Sequence, residues 1–111
     1  MEAIPDDETG AAIRQWAIEG SDITKPMKID FFVALPNQKA GSFFASDREL
    51  AGFVVAVEAD ADTKKWTCYC TKVIVPTYSN IVEIEKQLAA VAARYGAELD
   101  GFGSLGNAGL R

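Results

Sequence analysis

The order of elements along this chain predicts an α+β fold: a ferredoxin-like βαββαβ two-layer sandwich with an additional N-terminal helix. Three observations carry that expectation. Residues 27–35 alternate apolar and polar side chains with a period of two. Residues 80–95 carry an apolar stripe at helical spacing. Between and around them, strand-like and helix-like runs follow the sequence strand, helix, strand, strand, helix, strand. In that arrangement two helices cover one face of a four-stranded antiparallel sheet.

Residues 6–19 read as a short amphipathic helix, with Ile13, Trp16 and Ala17 on one face and Gly20-Ser21-Asp22 as its stop. Met27, Ile29, Phe31, Val33 and Leu35 then form the apolar side of the first strand, which Pro36-Asn37 closes. Phe32 stands out on the polar side. Residues 38–51 place Ala40, Phe43, Phe44, Leu50 and Ala51 on a broad helical stripe. Gly41 interrupts it, and a restart near Ser46 with Glu49 as capping-box partner is expected.

Phe53 to Glu58 is a β-branched run, and Ala59-Asp60-Ala61-Asp62 is the polar connection of a hairpin. Residues 65–75 resume as a strand that Pro76 ends. Asn80 is expected to cap the clearest helix, with Glu83 at the capping-box position and Gly96 as the left-handed C-cap. Its stripe is Ile81, Ile84, Leu88, Val91 and Tyr95. Burying it contributes on the order of 8–15 kcal/mol of gross transfer energy before entropy is subtracted.

The last strand, residues 97–103, sets one aromatic, Phe102, between Gly101 and Gly103. Core filling alone does not require two glycines there. The string Gly101-x-Gly103-x-x-Gly106 imitates a phosphate loop, but no helix is expected after it, so the fingerprint lacks its context. The expected organisation is an acidic arm and helix over 1–22, the ferredoxin-like domain over 23–105, and a Gly-rich flexible tail over 106–111.

With 111 residues, 49% of them apolar, one core without disulfides is expected. Cys68 and Cys70 lie two apart on a strand, a poor geometry for a relaxed disulfide and too few ligands for zinc. They read as small buried hydrophobes. No apolar run approaches the ~20 residues of a membrane span, and no basic and apolar leader precedes Glu2, Asp6, Asp7 and Glu8. A soluble cytoplasmic protein without membrane contact is expected.

The chain has no histidine, which removes the commonest general base and metal ligand. Asp22, Asp30, Glu58, Glu98 and Asp100 are scattered, with no spacing that pairs two of them for catalysis. Neither an enzyme nor a metal or cofactor site is expected. The net charge of −5 lies in the first 22 residues, where six acids face Arg14 alone; the remainder is balanced. Acids before a helix favour its dipole, and they also suit a basic protein segment. A neutral body with an acidic arm argues against direct nucleic-acid binding.

Several segments together resemble one family, the regulators of ribonuclease E activity of the B type. They are Glu19-Gly20-Ser21-Asp22, Lys28-Ile29-Asp30-Phe31, Leu50-Ala51-Gly52-Phe53-Val54-Val55, Cys68-Tyr69-Cys70, Glu85-Lys86-Gln87-Leu88 and Glu98-Leu99-Asp100-Gly101-Phe102-Gly103. The resemblance implies a bacterial, cytoplasmic, non-catalytic inhibitor without cofactor. Its implied partner is the non-catalytic C-terminal region of ribonuclease E, which carries arginine-rich segments. The closing motif usually holds tryptophan where this chain has Phe102. Better-known members also carry an acidic tail where this chain has a neutral, Gly-rich stretch. If that tail serves docking, this chain must use its N-terminal arm or bind differently; the residues expected to bind a partner are Asp6, Asp7, Glu8, Trp16, Asp100 and Phe102. An RNA-binding or small-ligand regulatory module on the same fold is the alternative, and the sequence leaves the oligomeric state open.

Overall fold

The structure, a computed structural model, describes residues 4–107. Glu2 of the acidic arm and residues 108–111 of the expected tail lie outside the described residues. The elements are α1 (Glu8–Ile18), β1 (Met27–Leu35), α2 (Gln38–Ala45), a 3-10 turn (Arg48–Leu50), β2 (Val54–Ala59), β3 (Trp66–Ile74), α3 (Tyr78–Ala93) and β4 (Glu98–Gly103).

The strands form one sheet in the order β2-β3-β1-β4, antiparallel throughout. This is the expected ferredoxin-like arrangement, with the extra helix first. Its period-two pattern has a direct physical result: Met27, Ile29, Phe31, Val33 and Leu35 are all buried on one face, opposite Cys68 and Cys70 of β3. On that face α2 lies over β2 and β3, and α3 lies over β4 and β1. α1 packs beside α3, and Trp16 joins the same core. Ile81, Ile84, Leu88 and Val91 are buried as the stripe requires. The opposite sheet face carries no helix among the described residues; Val54 and Val73 there are 74% and 62% exposed.

The boundaries of two helices differ from the expectation. The second helix ends at Ala45 instead of reaching Ala51, because the backbone turns extended at Asp47 (ψ 131°), directly after its C-cap Ser46. Asp47, not Ser46, caps the turn that follows, accepting from the Glu49 amide at 2.9 Å. Of the two phenylalanines within α2, Phe43 is exposed and its neighbour Phe44 is buried. The third helix begins at Tyr78, with Thr77 as its cap; Asn80 is inside the first turn and its side chain donates to the Val75 carbonyl.

Of the residues after β4, Asn107 is hydrogen-bonded to the α1–β1 loop, and the Gly106 amide donates to the Ser104 hydroxyl at 2.9 Å. The Asn107 side chain accepts from the Asp22 amide at 2.7 Å and donates to the Asp22 carbonyl at 2.8 Å. The Asn107 amide donates to the Ser21 hydroxyl, and Ser104 donates to the Lys28 carbonyl at 2.6 Å. At Gly106, with φ 76°, a Cβ would stand 2.1 Å from Ser21 Oγ, so a side chain there would be strained and would displace the Ser21 hydroxyl.

Candidate docking surface

Asp7 organises the acidic end of α1. Its Oδ1 accepts from the Gly10 amide at 2.8 Å, capping the helix, and its Oδ2 accepts from the Tyr78 hydroxyl at 2.5 Å. The start of α1 is thereby tied to the start of α3. Those donors, Tyr78 first and then Gly10, hold the Asp7 carboxyl below its usual range. A second tie runs from the Thr9 hydroxyl to Glu85 at 3.3 Å, where burial pushes the Glu85 carboxyl up. Asp6 and Glu8 are exposed. Asp6 faces Arg14 at 3.7 Å across solvent, a weak pairing.

Beside this acidic end lies an apolar groove of about 290 Å³. Ile4, Ile13, Ile23, Val75, Pro76 and Tyr78 line most of it. Two of its lining residues bind carboxylates. Tyr78 donates to Asp7, and Thr24 donates to Asp22 Oδ1 through its hydroxyl at 2.5 Å and its amide at 3.0 Å. The Thr24 side chain and then its amide lower the Asp22 carboxyl. The groove is thus apolar inside and acidic at its rim.

The other expected site residues lie elsewhere. Trp16 is 7% exposed, and its ring meets Phe102 edge to face at 5.9 Å. Phe102 also packs on Phe31 with centroids 5.8 Å apart. A β-bulge puts it there. Phe31 pairs with Phe102 and Val33 with Leu99, so Asp100 and Gly101 together oppose Phe32. Leu99 and Phe102, three residues apart, both reach the core for that reason. Gly101 supplies the bulge with φ 115°, a conformation glycine adopts freely. Asp100 is exposed on the edge strand. Asp6, Asp7 and Glu8 therefore form one group, Trp16 and Phe102 a second, and Asp100 stands apart.

On the open sheet face, Phe32 and Tyr69 pair across β1 and β3 at 5.6 Å. The half-buried Asp30 accepts from the Thr71 hydroxyl at 2.5 Å. Inside the core, the Cys68 and Cys70 sulfurs lie 3.9 Å apart as free thiols, and the Cys68 contact together with burial pushes the Cys70 thiol up. Among the described residues no three His, Cys, Asp or Glu side chains gather as a metal-ligand set, and no helix is long and apolar enough to cross a membrane.

Ile4, Ile23 and Tyr78 were not singled out by sequence reasoning, since each looks like an ordinary apolar residue near a loop. Only the fold brings them together.

A family model described as regulator of ribonuclease activity B matches residues 6–104, nearly the whole chain. No curated protein matches it.

Proposed function

Because this chain belongs to the regulator of ribonuclease activity B family, we propose that it is a non-catalytic inhibitor that docks on ribonuclease E. The expected contact is the enzyme's non-catalytic C-terminal region, in the bacterial cytoplasm, with RNA cleavage reduced as the outcome. The observation that carries this reading is the acidic end of α1. Asp6 and Glu8 are exposed there, Asp7 and Asp22 stand at the rim of an apolar groove, and the rest of the chain is charge-balanced. An excess of negative charge on a small surface steers a basic segment and sets its orientation.

Of the six residues expected to bind, Asp6 and Glu8 are assigned direct contact. Asp7 is assigned a positioning role because two donors already hold it. Trp16 and Phe102 hold α1 against the sheet and so present the acidic end. Asp100, exposed on β4, is assigned peripheral charge. The test is capture of the C-terminal region by the protein and by an Asp6→Lys, Glu8→Lys variant. Asp7 is left intact so that the helix cap survives.

A second reading, single-stranded RNA on the open sheet face, draws on the Phe32–Tyr69 pair, since aromatics on such sheets stack on bases. That face sets Asp30, Glu58 and Glu98 against Lys28, a balance that repels phosphate. Tight, salt-sensitive RNA binding by the isolated protein would favour it.

A further inference from the structure

We infer that the apolar groove between α1 and the β3–α3 connection takes a bulky apolar side chain of a basic partner segment, so that recognition needs an apolar anchor beside arginine or lysine. The inference rests on the acidic-docking reading and adds to it the chemistry of the bound sequence. The groove is built by four separated parts of the chain: Ile4 ahead of α1, Ile13 within it, Ile23 in the α1–β1 loop, and Val75 to Tyr78 after β3. The Asp7–Tyr78 and Asp22–Thr24 bonds fix two of its walls. Ile4 and Ile23 remain half exposed, although isoleucine is among the residues most often fully buried.

A volume of about 290 Å³ is at the lower limit of ligand pockets and suits one or two side chains more than a whole peptide. The charge around it selects the occupant. Asp6, Asp7, Glu8 and Asp22 outnumber Arg14, which donates to the Ile4 carbonyl and pairs with Asp6, and Lys25 beside Asp22, so an acidic segment is repelled and a basic one drawn in. A buried anchor with a charged surround is the usual division of labour in small interfaces: the anchor holds, the charges orient.

The test uses the full chain with methyl-labelled isoleucine and valine and two synthetic probes. One is an arginine-rich peptide carrying two leucines; the other has both leucines replaced by serine. The leucine peptide should bind on the order of tenfold tighter, as burial of one leucine allows. It should also shift the methyl signals of Ile4, Ile13, Ile23 and Val75, which the serine peptide should leave in place. Ile23→Glu should abolish the preference. Methyl mapping on the unmodified chain stands independently of whether that variant folds. Equal affinity for the two peptides, or leucine-dependent shifts confined to another surface, overturns the groove assignment while leaving the acidic-docking reading in force. Failure of both peptides to bind overturns both.

Discussion

Trp16 from the first helix and Phe102 from the last strand meet edge to face at 5.9 Å, joining α1 and β4 over one core. Their contact exists because the bulge at Gly101 turns Phe102 inward. Phe102 is only half-buried, so Phe102→Ala should cost about 2 kcal/mol, below the usual range for a fully buried ring. Phe102→Trp should be tolerated within about 1.5 kcal/mol. A double-mutant cycle with Trp16→Ala should show coupling of about 1 kcal/mol, read from urea denaturation.

Gly101→Val should destabilise by about 1–3 kcal/mol, because a β-branched residue is strained at φ 115° even though open space surrounds it. Gly103→Ala should do much less. Its added methyl would sit 3.4 Å from the edge of the Phe32 ring, near ordinary contact. Thermal melts of the two variants check the contrast, and equal losses would show that the bulge is not what requires glycine.

Removing the Asn107 side chain should free the C-terminal strap. Asn107→Ala deletes its bonds to Asp22 and Pro26, at a cost of about 1 kcal/mol for a half-buried site at the surface. The sharper readout is local. Hydrogen exchange at the Asp22 amide should accelerate markedly, while amides in the middle of β1 keep their protection.

Acid sensitivity should trace to two tyrosine-held caps. Asp7 accepts from Tyr78 and Asp47 accepts from Tyr95 at 2.6 Å, and each tyrosine is the main reason its carboxyl lies below the ordinary 3.8. A lowered carboxyl contributes stability that is present above its unfolded value and lost as pH falls through the folded one. The stability gap between the protein and Tyr95→Phe should therefore be steady near neutral pH and shrink below about pH 4. Glu85 has the opposite sign: burial raises its carboxyl, so its contribution fades as pH rises through the folded value. Glu85→Gln should raise the melting temperature at pH 7 relative to its effect in acid.

Much of the architecture could be read from residue order because it rests on strong periodicity. The alternation of residues 27–35 and the stripe from Ile81 to Val91 each match one element type, and burial follows them residue by residue. Boundaries failed where several capping residues compete: Thr77 beat Asn80, and Asp47 beat Ser46, because only one of each pair had extended backbone ahead of the helix. The bulge was invisible, since it is a relation between β4 and β1 and not a property of either. The groove was equally hidden, as Ile4, Ile23 and Tyr78 share nothing along the chain. The acidic arm was apparent from charge alone, but its division into a held cap, Asp7, and exposed neighbours, Asp6 and Glu8, needed the hydrogen bonds.

Binding to the C-terminal region of ribonuclease E, followed by titration calorimetry across a range of salt, bears most directly on the proposed role. The protein should bind with affinity that falls as salt rises, and the Asp6→Lys, Glu8→Lys variant should bind about tenfold more weakly or worse while melting cooperatively. Undiminished affinity in that variant, or no binding by the unmodified protein at low salt, would contradict it.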